Sequence, residues 1–200
     1  MHTPRNLMPI GRFAASVRLS VKALRHYDEL GQREQALRGV QLLARAGSLT
    51  PYDVTIREAP ALTVARRTIE TTVDRLIPES TAAIYQLLEA LRSAGWKEEG
   101  PVLCENEDAD EDGRQVVHAC ATVAAPLVLP GVEIAELPGG AFAHLLHEGP
   151  FETLGLAYHA LHAFAQERGH ERRGPMREVY VNDPAEVPPE EIRTEVWLPI

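Results

Sequence analysis

Two stretches of the sequence share one pattern: VTIREAPALTVA at residues 54–65 and VEIAELPGGAFA at residues 132–143. Both read V-x-I-x-E-x-P, and the second begins 78 residues after the first. A β-branched alternation of this kind is typical of a strand. A repeat at this distance predicts a body built from two related halves.

Each repeat is followed by the same succession of predicted elements. A helical pattern comes first, at residues 79–95 and 153–169, then Gly-Pro, and then two strand-like runs. The sequence therefore predicts two strand–helix–strand–strand units of the α+β class. Such a duplication buries its shared face in a pseudo-twofold sandwich or in one continuous curved sheet, with a cleft where the halves meet.

The charge of the chain is unevenly distributed. The 200 residues carry a net charge of −9, whereas residues 1–50 alone carry +5. Short helical patterns fill these first residues, so we predict a small all-helical head at residues 1–50 and a body at residues 51–200. A basic head on an acidic body favours a polyanionic partner for the head, although a solvated basic helix face has the same composition.

Composition argues against several classes of protein. No apolar run approaches the roughly 20 residues of a membrane helix, and the first residues lack the apolar centre of a signal peptide, so we expect a cytoplasmic protein with no membrane partner. Cys104 and Cys120 stand outside any metal-binding spacing and are interpreted as reduced thiols. The histidines spaced by three residues lack a third ligand, and no nucleotide fingerprint occurs, so we expect neither metal nor cofactor.

The head contains IGRFAASVRLSVKALRHYDELG at residues 10–31, which resembles the helix-turn-helix of MerR-type transcriptional regulators. In such a motif the second helix enters the major groove, and its cations neutralise phosphates. The resemblance implies that Arg25 and Tyr27 hold the DNA backbone, while Ser20 and Lys22 lie nearest the bases. The DNA-contacting candidates are Arg12, Arg18, Ser20, Lys22, Arg25, His26 and Tyr27.

The sequence departs from that family after residue 31. QREQALRG, at residues 32–39, follows where MerR-type proteins carry a basic, aromatic wing, and the third predicted helix is shorter than their dimerising coiled coil. Each missing phosphate contact lowers the affinity for DNA, so we expect DNA binding to be weak and sensitive to salt. A homodimer stays compatible with the sequence.

The body, from about Tyr52 to Ile200, resembles the GyrI-like effector-binding domain, which also follows AraC-type and MerR-type DNA-binding heads. The resemblance rests on GPFETLGLAYHALHAFAQERG at residues 149–169, on REVYVNDPAEVPPEEIRTEVWLPI at residues 177–200, and on the repeated motif. It implies a curved antiparallel sheet with two main helices that enclose a pocket for small, hydrophobic and often cationic compounds. It also implies a carboxylate on the last strand as the charged anchor of the pocket, which here is Glu195.

Strand alternation gives Glu195 its predicted neighbours. Glu195 and Trp197 share one face of the last strand. On the run at residues 177–183 the valines are assigned to the core, which leaves Glu178 and Tyr180 towards the cleft. The candidate ligand-binding set is Glu195, Trp197, Tyr180, Glu178 and His118. A carboxylate beside aromatic rings suits a lipophilic cation, although the same residues are compatible with an ordinary solvent-facing sheet.

Three functions of different classes fit these patterns. The first is a ligand-responsive transcription regulator of the multidrug-binding type, and the second is a stand-alone module that sequesters drugs without tight DNA binding. The third is a small hydrolase of electrophilic toxins, in which Glu195 would act as general base and Tyr180 as donor. In the first two functions no residue is catalytic.

Overall fold

The computed structural model describes residues 52–96, 100–110, 112–124 and 128–200. These residues form an α+β fold in which one curved antiparallel sheet of eight strands, a half-barrel, carries two helices. Helix α1 spans Leu76–Ser93, and helix α2 spans Leu154–Arg168. The strands are β1 Thr55–Ala59, β2 Leu62–Thr72, β3 Val102–Asn106, β4 Arg114–Thr122, β5 Glu133–Leu137, β6 Gly140–Glu148, β7 Met176–Tyr180 and β8 Arg193–Pro199.

The sheet has the symmetry that the repeat predicts. Its strand order is β1-β6-β8-β7-β3-β4-β2-β5. The order reads the same from either edge when each strand is exchanged for its equivalent in the other half, β1 for β5 through β4 for β8. The duplication is therefore confirmed, and its pseudo-twofold axis passes between the central strands β3 and β7.

The predicted make-up of each half is wrong by one strand. Pro60 and Pro138, which lack an N–H, each divide the repeated motif into two strands, so that each half is strand–strand–helix–strand–strand. The first strand of each half pairs with the other half, β1 with β6 and β5 with β2. The two proline corners meet closely, because a Cβ on Gly139 would lie 2.5 Å from the backbone nitrogen of Ala61.

Both helices bury a stripe of apolar residues spaced by four. In α1 the stripe is Ala83, Leu87 and Leu91, and in α2 it begins at Ala157 and Leu161. Burial of each such leucine contributes about 1.5–3 kcal/mol. Helix α1 packs on β2 and β4, whereas α2 packs on β6 and β8.

The two faces of the sheet have different coverings. The helix face carries Val196 and Leu198, which cluster with Leu161 of α2. On the opposite face, where no helix of the described ranges packs, residues from different strands cluster with one another: Val64, Leu103, Cys120, Leu137 and Val179. Since the sheet is curved, this second cluster is also buried, and both faces of the central strands are in the interior.

The predicted helical head lies outside the described residues. The same holds for its DNA-contacting candidates, Arg12, Arg18, Ser20, Lys22, Arg25, His26 and Tyr27. Within the ranges that the structure describes, neither helix has the length and apolar character needed to cross a membrane.

Candidate functional site

The central strands lie beneath the gap between the two helices. β3 and β7 pair with each other, and the helices pack on the strands to either side of them. The helix-face side chains of this pair include Cys104 and Asn106 on β3 and Glu178 and Tyr180 on β7. Polar groups at these positions are therefore buried between α1 and α2.

Glu178 is a buried carboxylate held by two tyrosines. The hydroxyl of Tyr158, on α2, donates a hydrogen bond to Oε1 of Glu178, and the hydroxyl of Tyr180 donates one to Oε2 at 3.1 Å. Asn106 donates from Nδ2 to the Tyr158 oxygen at 2.9 Å, while its own Oδ1 has no partner. Within the described ranges, no basic side chain lies in ion-pair range of Glu178.

Burial dominates the electrostatics of this cluster. It raises the pKa of Glu178 above its ordinary value, and the hydrogen bonds from Tyr158 and Tyr180 offset part of that rise. Burial also raises the pKa of both tyrosines, so their hydroxyls stay protonated and serve as donors. The ionised form of Glu178 is thus stabilised only by neutral donors, and a cation beside it would stabilise that form further.

A pocket of about 340 Å³ opens between α1 and the β7–β8 loop. Its lining is mostly apolar and comprises Thr81, Tyr85, Pro150, Phe151, Glu152, Pro184, Ala185, Pro189 and Ile192. The Phe151 ring meets the ring of Tyr180 edge to face, with centroids 5.8 Å apart. A chain of contacts therefore runs from the pocket through Phe151 and Tyr180 to Glu178.

Glu195 lies on the opposite face of the sheet in a different environment. Its side chain is 27% exposed, and Trp197 donates from Nε1 to Oε2 at 3.2 Å. Oε1 lies 3.9 Å from a guanidinium nitrogen of Arg57 and 3.3 Å from Nε2 of His144. Burial lowers the pKa of His144, and the neighbouring Glu195 opposes that change. Arg57 thus already supplies a positive charge to Glu195.

The same face holds a buried ion pair at the centre of the sheet. Nε of Arg177 lies 2.9 Å from Oε1 of Glu105, and Nη2 of Arg177 donates to the carbonyl of Pro138 at 2.9 Å. The guanidinium also lies 4.9 Å from the centre of the Phe142 ring. Both charges are almost completely buried, so each depends on the other for its compensation.

The structure divides the sequence-predicted set between the two faces. Glu195 and Trp197 are in contact, and His118 shares their face three strands away, where it is bonded to Thr68. Glu178 and Tyr180 lie on the helix face, so their predicted place beside Glu195 is wrong. Both faces of β7 are buried, and the valines therefore gave no indication of which face meets the helices. The hydrolase pair Glu195 and Tyr180 is likewise separated by the sheet.

Sequence reasoning missed Tyr158 and Asn106, which complete the Glu178 cluster. Tyr158 adjoins the buried stripe of α2, next to Ala157 and Leu161. A tyrosine beside such a stripe carries a hydroxyl that must find a buried partner, which was an available signal. The partner itself depends on the pairing of β3 with β7, which no local pattern in the sequence predicts.

Comparison with known proteins identifies the domain. Residues 52–200 match the family described as the GyrI-like small molecule binding domain. No curated protein is similar enough in sequence to match this chain.

Several solved structures share the fold at low sequence identity. EcmrR, in a complex with DNA, aligns with a TM-score of 0.69 and 14% identity, over 95% of this chain and 98% of its own. SAV2435 bound to tetraphenylphosphonium aligns with a TM-score of 0.54 and 15% identity, over 74% of this chain and 93% of its own. A hydrolase from Listeria innocua aligns with a TM-score of 0.51 and 14% identity, over 74% of this chain and 91% of its own. At these identities the likeness establishes a common fold only.

Proposed function

The chain belongs to the GyrI-like family of small-molecule-binding domains, and we propose that it binds small lipophilic cations between α1 and α2, next to Glu178. The observation that carries this proposal is a buried carboxylate with two tyrosine donors and no cationic partner among the described residues, connected through Phe151 to an apolar pocket. A pocket of about 340 Å³ is within the range of small-molecule sites.

A cation would gain three kinds of interaction here. Its apolar groups would be buried against Phe151 and the prolines of the pocket, and its charge would be attracted to the ring faces of Phe151 and Tyr180. Its charge would also be attracted to Glu178, which no other charge in the described ranges neutralises. The complex of SAV2435 with tetraphenylphosphonium, a lipophilic cation, supports this choice of ligand class.

Glu195 stays a second candidate anchor, since the family resemblance assigns the pocket carboxylate to the last strand. Its charge is already met by Arg57 and by the N–H of Trp197. A ligand cation would have to compete with these partners, and the partial exposure of Glu195 would weaken the attraction. These features favour Glu178.

Titration calorimetry with two ions of matched shape and opposite charge tests the proposal. Tetraphenylphosphonium should bind the full-length protein, whereas tetraphenylborate should bind at least about 100-fold more weakly, because it would place an anion beside Glu178. Equal affinity for the two ions, or no binding of the phosphonium, would refute the cation site.

We further propose that the protein is a ligand-responsive transcription regulator. The resemblance of residues 10–31 to a MerR-type helix-turn-helix supports this role, and so does the EcmrR–DNA complex among the similar structures. A gel shift on the promoter of its own gene, with and without tetraphenylphosphonium, tests it. Salt-sensitive binding that changes with the cation is expected, and no binding at low salt would favour the stand-alone sequestering module instead.

A hydrolase is the alternative that one observation favours. A carboxylate whose pKa is raised by burial, beside two tyrosine hydroxyls, is a suitable general base, and Glu178 meets that description. The hydrolase from Listeria innocua, which shares this fold, also supports the alternative. Product analysis with a neutral epoxide distinguishes the two functions: turnover that Glu178→Gln abolishes supports the hydrolase, and an unchanged epoxide supports the binding module.

A further inference from the structure

His147, at the end of β6, is buried between the first residue of the family domain and the wall of the pocket. Its Nδ1 lies 2.7 Å from the hydroxyl of Tyr52. Its Nε2 lies 3.0 Å from Oγ1 of Thr153 and 3.4 Å from the carbonyl of Pro150. Only 3% of His147 is exposed. The two ring nitrogens therefore contact two different segments of the chain.

The groups around His147 determine which atom donates in each of these hydrogen bonds. Burial lowers the pKa of His147 and raises the pKa of Tyr52 to about 12, so the imidazole is neutral and the phenol is protonated. The Thr153 hydroxyl donates to the carbonyl of Pro150 at 2.7 Å, which leaves its oxygen as an acceptor. Nε2–H of His147 then donates to Thr153, and Tyr52 donates to Nδ1. We call this chain of four groups the Tyr52–Pro150 relay.

One end of the relay belongs to the pocket. Pro150 lines the pocket together with Phe151 and Glu152, and the Phe151 ring contacts Tyr180. This segment is a single 3₁₀ turn, Phe151–Thr153, between β6 and α2. A ligand in this pocket would contact Phe151, and the adjoining Pro150 and Thr153 belong to the same short turn.

The other end of the relay is the start of the domain. Tyr52 is the first residue of the family match, and its ring packs with Val54 on the α2 core cluster. One peptide bond joins Tyr52 to Pro51 and to the N-terminal segment. Tyr52 is therefore the covalent connection between the described domain and the preceding residues.

We propose that the Tyr52–Pro150 relay couples occupancy of the pocket to the backbone at Tyr52, and through it to the N-terminal segment. The inference rests on the proposed function, because it takes the pocket beside Phe151 as the ligand site. The bound ligand moves the 150–153 turn, the donor geometry at His147 changes, and the hydrogen bond to Tyr52 weakens or tightens with it.

Amide hydrogen exchange on the full-length protein tests the relay, with tetraphenylphosphonium as the probe. The probe should change exchange at Asp53 and Val54 by about 3- to 10-fold, the effect of one hydrogen bond on local opening. Tyr52→Phe and Thr153→Val each remove one relay hydroxyl with little change of shape, and each should abolish this response while the probe still binds. Thr122→Val removes a hydroxyl that donates to the carbonyl of Pro101 outside the pocket and the relay, and it should leave the response intact.

A second measurement without any probe separates failure of the relay from failure of the ligand site. In the ligand-free protein, Thr153→Val should accelerate exchange at Asp53 and Val54, and Tyr52→Phe should accelerate exchange at Thr153, whose amide is bonded to Pro150. The double variant should be non-additive. Additive and purely local effects would overturn the relay. Failure of tetraphenylphosphonium to bind the wild-type protein would refute the proposed cation site. The exchange rates of the ligand-free variants would then still show whether Thr153 and Tyr52 are coupled.

Discussion

Glu178 and Glu195 are two carboxylates on neighbouring strands, and the two faces of one sheet give them opposite properties. Glu178 is buried beneath the helices and accepts hydrogen bonds from the neutral hydroxyls of Tyr158 and Tyr180. Glu195 is partly exposed and has an arginine, a histidine and an indole N–H around it. The comparison teaches that the charge of a carboxylate is available to a ligand only where the protein has not already compensated it.

Glu105 provides the limiting case on the opposite face. It is as deeply buried as Glu178, but Arg177 supplies a full positive charge at 2.9 Å. The protein thus holds a buried charge in two ways, with a permanent internal cation at Glu105 and with neutral donors alone at Glu178. If the comparison is correct, the removal of each carboxylate charge has a different consequence.

The largest expected effect is on the stability of the protein and concerns Glu105. Glu105→Gln should lower the free energy of unfolding by roughly 3–5 kcal/mol, because it leaves the guanidinium of Arg177 buried without its counter-charge. Urea unfolding measures the loss, and Glu105→Gln combined with Arg177→Met should recover part of it. A loss below about 1 kcal/mol would show that Arg177 is solvated or compensated elsewhere.

The next effect is on binding and concerns Glu178. Glu178→Gln keeps the shape and both tyrosine donors but removes the charge, so the affinity for tetraphenylphosphonium should fall by about 2–4 kcal/mol. Its stability at neutral pH should not fall, since the burial of an ionised carboxylate is itself unfavourable. Calorimetry and urea unfolding on the same samples check both statements. An unchanged affinity would move the ligand site away from Glu178.

The sequence predicted the fold well because its signals were repeated. Three patterns depend only on residues that are close in the sequence: the motif at Val54 and Val132, the apolar stripes of both helices, and the alternation along residues 193–200. Each of them corresponds to strands or helices of the structure. The extra strand in each half is not predicted, because the repeated motif, with the proline inside it, is interpreted as a single strand. Pro60 and Pro138 are corners between two strands, where a missing N–H has no cost.

The site was predicted less well for a physical reason. Alternation shows that Glu178 and Tyr180 share a face of the strand. It does not show whether that face packs against the helices or lines the inside of the curved sheet. Val179 lies in the core as predicted, but in the cluster inside the curved sheet and not in the one under the helices. Val181, which is also predicted for the core, is 46% exposed. Only strand order and register place Tyr158 of α2 above Glu178, and both are properties of the assembled sheet.

A smaller effect on stability should appear as a dependence on pH. Burial raises the folded-state pKa of Glu178 above the unfolded value, so the folded protein holds this proton more tightly. The stability that this proton contributes is full below the unfolded pKa, near 4.3, and is lost as the pH rises through the folded pKa. The stability of Glu178→Gln relative to wild type should therefore increase with pH across that window, by at most about 1.4 kcal/mol per pH unit.

The affinity for a cation follows the opposite course across the same window. Ionised Glu178 attracts tetraphenylphosphonium and protonated Glu178 does not, so the affinity of the wild-type protein should rise with pH, whereas that of Glu178→Gln should stay flat. Calorimetry at several pH values measures both. If the two proteins show parallel profiles, another group controls the binding.

The smallest expected effect concerns Glu195 and makes it the matched control for Glu178. Glu195→Gln removes a charge whose partner Arg57 is 58% exposed at 3.9 Å, and such a pair contributes at most about 1 kcal/mol to stability. The indole of Trp197 can still donate to the amide oxygen that replaces Oε2, so the local packing should persist. Loss of the charge also relieves the opposition to the lowered pKa of His144, which should fall further and can be followed by NMR titration. The affinity for tetraphenylphosphonium should change by less than about twofold, because the whole sheet separates Glu195 from the helix face. A loss of about 2–4 kcal/mol here, with Glu178→Gln unaffected, would reverse the comparison and assign the anchor to the last strand, as the family resemblance implies.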